Sequence, residues 1–450
     1  MTAGGRRALV GLLTAEVVSA AGTRMSMVAL PWFVLTLTGS PARTGLVAAA
    51  EMLPYVLACG LGGPLLDRIG VRRVSIVADT VSALALAAIP LLFRDGALSF
   101  PVLLGLVAVV GLLRGAGDIA KQAVFPRTVA GTGIELTRAT SLHDGLRRLA
   151  TLLGAPLAGV LIAALDAPTV LLLDAGTFAA GALLVAACVP AGLNHARDPE
   201  PAGGTARGTE PTATADGAAP AGAAGSYLES LREAGRFLRG DRLLIAIGIM
   251  LTATNLFDQA YSAVLAPVWA REVVGDATAL GLLFGIFGVG AVVGNAVFTA
   301  VAPRIDRWAV FSVGFLVAGA PRYLATALFG ERLWAMYLVS FLAGVAIAAV
   351  NPILGTVFYE RVPQRLHARV LGLSHAVSWA GIPLGGLIGG GLVQWLGLEP
   401  SLYVFGAGYL LVTLLPFLDR SWRDLDARPG PTPTVEADRV DERPAGARST

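Results

Sequence analysis

Long apolar runs of about 20 residues alternate some twelve times along this chain with short polar interruptions. That length matches a helix crossing the hydrocarbon core of a bilayer. Inside lipid only helices and closed barrels satisfy their own backbone hydrogen bonds, and these runs lack the strict alternation of a barrel strand. The chain is therefore expected to be an all-α membrane protein of twelve transmembrane helices. The spans are placed near residues 9–36, 45–66, 74–93, 101–125, 145–165, 169–189, 243–269, 279–302, 309–329, 333–357, 370–396 and 401–418. Composition agrees, with 55% hydrophobic and 14% charged residues against about 25% charged in soluble domains. Twelve spans use most of the 450 residues and leave no room for a separate catalytic domain.

Arg6 and Arg7 precede the first run as they would in a signal peptide, but the run continues to about Leu37 and many spans follow, so an uncleaved first helix is expected. Cys59 and Cys188 fall in apolar runs and read as small hydrophobes rather than a disulfide framework. With the N-terminus inside, the inner loops carry Arg68, Arg72, Arg73, Arg127, Arg138, Arg304, Arg307, Arg361, Arg365 and Arg369. The outer loops carry Arg43, Arg94, Arg271 and Arg332. That bias exceeds two to one and places both termini in the cytoplasm.

The composition divides the chain further. Residues 1–189 form one six-helix half and residues 243–418 the other. Between them, residues 190–226 turn to Ala, Gly, Pro and Thr, which bury little apolar area, so a disordered cytoplasmic linker is expected. Residues 227–242 place Leu228, Leu231, Ala234, Phe237 and Leu238 on one helical face, away from Arg232, Arg236 and Arg239. They read as an amphipathic helix on the inner leaflet or packed beneath the bundle. The tail, 419–450, is rich in Pro, Arg and Asp and is expected to be disordered.

The six-and-six split points to duplication, and three matches in order support it. Gly154-Ala155-Pro156-Leu157-Ala158-Gly159 parallels Gly381-Ile382-Pro383-Leu384-Gly385-Gly386. Pro31 with Gly45-Leu46 parallels Pro267 with Gly281-Leu282 at the same offset, and Asp67-Arg68 parallels Asp306-Arg307.

After the second span comes Gly63-Pro64-Leu65-Leu66-Asp67-Arg68-Ile69-Gly70-Val71-Arg72-Arg73. This charged turn between two apolar runs resembles the loop signature of the major facilitator superfamily of secondary transporters. The likeness covers nearly the whole chain outside the linker and tail. Ala29-Leu30-Pro31-Trp32 with Thr38-Gly39-Ser40, and Gly115-Ala116-Gly117-Asp118 leading to Phe125-Pro126, are similar to bacterial drug-efflux members, the subgroup of macrolide, tetracycline and siderophore exporters. The resemblance implies two pseudo-symmetric six-helix halves in a bacterial plasma membrane. It also implies a conformational latch at Gly63, Asp67, Arg68, Gly70, Arg72 and Arg73, with Asp67 held at a helix N-terminus of the other half. Obedience to the positive-inside rule alone explains Arg72 and Arg73, but not the acid and the two glycines. Gly154, Pro156 and Gly159, with Gly381, Pro383, Gly385 and Gly386, resemble the G-P-x-x-G-G antiporter motif of drug exporters. Ala155 and Val160 depart from it at two glycine positions. Physically these small residues are seams for close helix packing, and the prolines are kinks.

Charges inside the spans are the sharpest pointers, because each needs a polar setting in the membrane. Arg114, Asp118 and Lys121 fall on a stripe about 60° wide at roughly 100° per residue and are expected to face a central cavity. Asp118 would then be a counter-ion fixed by its two basic neighbours, with a structural ion pair to an adjacent span as the competing reading. Glu16 and Arg24 can both border the cavity, Glu16 near its inner mouth, while Glu51 lies just before Pro54. Asn255, Asp258 and Gln259 share one face, with no basic residue within two turns of Asp258. An acid in such a setting holds its proton tightly, as coupling requires, unless a distant helix supplies Arg24 or Arg322. Asp258, Glu51 and Glu16 are the candidate proton carriers. Arg24, Trp32, Arg114, Asp118, Lys121, Asn255, Phe257, Gln259, Tyr261 and Asn351 are the candidate cavity residues, from spans 1, 4, 7 and 10.

No phosphate-cradling loop, metal-ligand spacing, catalytic triad or nucleic-acid motif stands in the chain, so neither enzyme chemistry, a cofactor, a bound metal nor direct use of ATP is expected. The expected partners are a small-molecule substrate, protons and the lipid bilayer, around a protein acting as a monomer. Proton-coupled export of small, largely apolar compounds is the leading expectation. An importer or uniporter on the same fold, or a membrane scaffold that moves nothing, are the alternatives.

Overall fold

Every expected apolar run forms a helix in the computed structural model of the protein, which describes residues 3–61, 66, 68–193, 223–363 and 366–426. The first half contains α1 (Ala3–Thr38), α2 (Pro41–Leu61), α3 (Val71–Arg94), α4 (Phe100–Ala130), α5 (Leu136–Leu165) and α6 (Ala167–Cys188). A connecting helix, α7 (Ala223–Gly240), precedes the second half. That half contains α8 (Arg242–Val274), α9 (Ala277–Val301), α10 (Arg307–Phe329), α11 (Leu333–Arg361), α12 (Arg369–Leu396) and α13 (Leu398–Leu418). Eleven of these, all but α2 and α7, are long and apolar enough to cross a membrane among the described residues. The 21-residue α2 packs along α4 and α12 and completes the twelve. Gly63 and Asp67 of the expected latch, residues 194–222 of the linker and residues 427–450 of the tail lie outside the described residues.

Several helices run past the expected bounds. α4 continues to Ala130 and α5 starts at Leu136, because backbone pairing carries on through polar turns that hydropathy alone discounts. The first residues of the expected disordered tail are folded. Arg420–Leu425 form a 3-10 turn with Trp422 and Leu425 buried, and the Trp422 ring lies 5.7 Å from that of Phe311 on α10. The exposed Asp419 carboxylate accepts from Ser421 N and Oγ, both at 2.9 Å, which holds it below the usual carboxylate range. One tryptophan and one leucine with a place to pack outweigh the polar composition that pointed to disorder.

Helix α7 packs beneath the second half. Ala234, Phe237 and Leu238 join Phe358, Val362 and Val370, and Glu233 pairs with Arg369 at 3.3 Å, while Arg232, Arg236 and Arg239 stay exposed. Here the end of the bundle bearing α7 is the linker end, and the opposite end is the far end.

The two halves differ in how they treat proline. Pro31, Pro54, Pro90, Pro126 and Pro156 lie inside continuous helices of the first half. In the second half, α10 breaks at Gly319 before Pro321, α11 at Ala348 before Pro352, and α12 at Ala380 before Pro383. A proline lacks the N–H that would bond four residues back, and its ring crowds that carbonyl, so the break falls just upstream. α8 absorbs Pro267 differently, through two wide π-helical turns at Tyr261–Leu265 and Ala270–Val274.

Glycines form the seams between halves, and the duplication is visible in them. A Cβ at Gly159 of α5 would lie 2.9 Å from Gly281 Cα of α9, and one at Gly386 of α12 would lie 2.9 Å from Gly45 O of α2. These are the residues the two sequence repeats equate. Gly381 and Gly385 likewise let α12 approach α8, with Cβ positions 2.1 Å from Thr252 O and from Leu256 O. At these positions a Cβ would collide with the neighbouring backbone, which is the geometry of a close-packed seam.

Candidate functional site: the cavity between the halves

A cavity of about 930 Å³ lies between the two halves. α1, α2 and α5 wall it on one side, with α8, α9, α10 and α11 on the other. At the far end the halves meet: Ser40 Oγ donates to Gln394 Oε1 at 2.8 Å, and Arg271 Nη1 donates to Leu35 O at 2.6 Å. At the linker end the lining reaches Asp144, Arg147 and Arg148, all exposed. The cavity is open at the linker end and closed at the far end.

Of the candidate cavity residues, Arg24, Asn255, Gln259, Tyr261 and Asn351 line the cavity, as do Asp258 and Glu51 of the candidate proton carriers. Asn255 Nδ2 donates to Ser378 O at 2.9 Å, which ties α8 to α12 just before the α12 break. Trp32 and Phe257 do not line it. Trp32 packs against the core, and the Phe257 ring lies 6.0 Å from Phe405 and 5.7 Å from Tyr409.

The charged stripe of α4 also needs correcting. Arg114, Asp118 and Lys121 share a face as expected, but that face meets α2 and α3, and none of the three lines the cavity. Arg114 pairs with Glu51 at 2.5 Å and sits 4.8 Å over the Tyr55 ring. Lys121 pairs with Asp79 of α3 at 2.9 Å, both side chains nearly fully buried. Asp118 accepts from Tyr55 Oη at 3.2 Å instead of being held between two cations. The competing reading, ion pairs between neighbouring spans, describes this stripe.

Asp258 has the basic partner that the expectation required it to lack. Arg322, placed just after the α10 break, donates to it through Nη2. Both line the cavity, and the Asp258 side chain, 41% exposed against 13% for Arg322, is the more open member of the pair. The guanidinium lies 5.4 Å over Tyr261 and 5.5 Å over Phe287. Glu16 is buried against His143 of α5, whose ring stacks 4.7 Å from Phe125, and Glu16 does not line the cavity.

In the loop after α2, Gly70 has φ 94° and ψ 131°, a backbone shape open to glycine, which accounts for the second glycine of the signature. Arg72 donates through Nε and Nη2 to Val189 O and Ala186 O, each at 2.7 Å. It therefore caps the C-terminal end of α6 within its own half rather than reaching across. Arg68 is exposed.

Sequence reasoning missed Arg147 and Arg148, Phe284 and Phe287, and Met27 and Met52, all of which line the cavity. It also missed Asp174, buried on α6, which accepts from Ser26 Oγ of α1 and from Thr177 Oγ1. Among the described residues no group of His, Cys, Asp or Glu could hold a metal ion.

Residues 12–261 and 248–446 each match the family described as the Major Facilitator Superfamily, two overlapping stretches that together span most of the chain. The chain belongs to the major facilitator superfamily. As a member it is a multi-pass membrane transport protein and not an enzyme. It is similar to the multidrug efflux pump Tap of Mycobacterium tuberculosis, 28% identical over 422 residues, covering 93% of this chain and 94% of that one. It is also similar to Tap of Mycolicibacterium fortuitum, 26% identical over 430 residues, covering 95% and 99%. The crystal structure of the nucleoside transporter NupG superposes with a TM-score of 0.70 at 13% identity, covering 91% of this chain and 98% of that one, and so shares the superfamily fold.

Proposed function

We propose that this superfamily member exports small, largely apolar compounds across a bacterial plasma membrane by proton antiport and alternating access. The observation that carries the reading is the cavity between two duplicated halves, open at one end and closed at the other. Glycine seams at α5–α9 and α2–α12 let the halves rock, because small residues leave the backbones close and free of interlocking side chains. Arginine bias puts the linker end and both termini in the cytoplasm, so this is the inward-open state. The likeness to the Tap pumps along nearly the whole chain favours export over import.

Asp258 remains the coupling acid in this reading, for a reason the sequence did not supply. It faces the cavity while bound to Arg322, so a proton arriving through the cavity would neutralise Asp258 and free the guanidinium beside the α10 break. Asp67 would latch the linker end in the opposite, outward-open state.

Accumulation of labelled compounds in energised inverted vesicles, with and without a protonophore, tests the reading. Uphill uptake that the protonophore abolishes is expected from the wild type. Asp258→Asn should lose uphill uptake and keep downhill exchange. Uptake indifferent to the protonophore would overturn proton antiport, and normal uphill uptake by Asp258→Asn would remove that residue from the coupling.

A further inference from the structure

The charges that line the cavity do not cancel among themselves. Four arginines, Arg24, Arg147, Arg148 and Arg322, line it against three acids, Glu51, Asp144 and Asp258. Arg322 is engaged by Asp258, and Glu51 by Arg114 standing behind the wall. The remaining acid, Asp144, lies at the mouth, 3.6 Å from His143 Nδ1. Arg147 and Arg148 are exposed at that mouth, but Arg24 lies deeper on α1 and is half-buried. Its one hydrogen bond among the described residues runs from Nη1 to Met27 Sδ at 3.5 Å, a weak acceptor, while Asp118 of α4 attracts it from behind the wall with no hydrogen bond between them.

Arg24 is also held in place. A Cβ at Gly154 would lie 2.6 Å from Arg24 Cβ and 3.0 Å from Ala21 O, so the glycine lets the arginine stem press directly on the α5 backbone. That gives Gly154 a role beyond close packing: it seats a guanidinium toward the cavity. An arginine within a span needs a polar partner, and its planar fork suits a carboxylate, sulfonate or phosphate. The opposite wall offers aromatic surface at Phe284 and Phe287, with the nearby arginine already neutralised.

We propose that Arg24 binds an anionic group of the transported compound, so that the cargo is an amphiphilic anion. Its charged head lies against α1 and its apolar body against α9. The exposed pair Arg147 and Arg148 draws such a molecule to the mouth by its field. This deepens the export reading, since it names the chemistry of the compound in the same cavity.

Three dansyl probes with one eight-carbon body test it: a carboxylate, its methyl ester, and the trimethylammonium analogue. Binding is measured by fluorescence to the full chain in phosphatidylcholine vesicles, without a proton gradient. The wild type should bind the carboxylate roughly tenfold more tightly than either other probe, the scale of one charge-assisted contact. Arg24→Gln should abolish that preference and Arg24→Lys should keep part of it. Equal or tighter binding of the ammonium probe by the wild type would overturn the proposal whether or not the variants fold. So would an undiminished preference in Arg24→Gln. Adding phosphatidylglycerol separates a soluble cargo from a lipid headgroup: carboxylate binding that persists supports the cargo, and binding that is displaced assigns Arg24 to lipid and sinks the proposal. Because no gradient is used, a lost preference leaves the vesicle-export result standing, and failed export leaves this one standing.

Discussion

The two halves arose from one pattern but handle charge and backbone in opposite ways. The first half keeps its helices continuous through five prolines and joins them by buried polar pairs. Lys121 with Asp79, Arg114 with Glu51, His143 with Glu16, and Asp174 with Ser26 each join two helices of that half. The second half breaks α10, α11 and α12 ahead of prolines and turns the pair Asp258 with Arg322 toward the cavity, while Arg307 with Glu360 and Arg361 with Asp241 pair elsewhere in that half. A half stitched by buried pairs holds its shape, while a half with interrupted helices has joints. Duplication supplied the frame, and divergence made one copy a rigid wall and the other a jointed one.

The sharpest way to break that contrast is to cut a stitch in the first half. Lys121→Met leaves Asp79 charged and buried without its partner, which should destabilise by about 3–5 kcal/mol and lower the melting temperature of the purified protein markedly. Adding Asp79→Leu should restore most of the loss, since a buried pair exchanged for apolar groups is close to neutral. A single Lys121→Met variant that melts like the wild type would show that the first half does not depend on its pairs.

The second half should depend instead on apolar filling at its linker end. Trp422→Ala empties the space under α10 and should cost on the order of 3 kcal/mol. A protease site placed after Asp426 should then be joined by new cleavage within 419–426. An unchanged digestion pattern would mean that the second half holds its linker end without this turn.

The seams can be compared directly. A Cβ at Gly45 would lie 2.0 Å from Gly386 O, whereas one at Gly281 would lie 2.7 Å from Ala155 O. Overpacking of this kind costs about 1–3 kcal/mol. Gly45→Ala should therefore slow vesicle uptake more than Gly281→Ala does. The reverse order would mean that α5–α9, not α2–α12, is the tighter hinge.

The smallest effect belongs to the loop after α2. Arg72→Gln loses two contacts to the end of α6 and should cost about 0.5–1.5 kcal/mol with little change in uptake. A large loss of uptake without loss of stability would show that Arg72 works across the halves.

The span count, the split into halves and the glycine seams were legible because each leaves a local mark: an apolar run, a composition shift, or a repeated G-x-P-x-x-G spacing. Partnership left no such mark. Helical periodicity puts Arg114, Asp118 and Lys121 on one face but does not say which helices that face meets, and here it meets α2 and α3. Asp258 and Arg322 lie on different helices, so only tertiary packing brings them together. Phe284 and Phe287 escaped notice because an apolar residue facing a cavity looks the same in sequence as one facing lipid. Trp422 escaped because its polar neighbours outvoted it.

The folded turn at Arg420–Leu425 has a consequence for the order in which the protein is made. It follows the last span, yet it completes the space beneath α10 and reaches α11, where Arg361 donates to Asp424 O at 3.0 Å and to Asp241 Oδ2 at 3.1 Å. The first half has all its stitching partners once α6 has left the ribosome. The second half lacks its last packing partner until a handful of residues beyond its final span have been made.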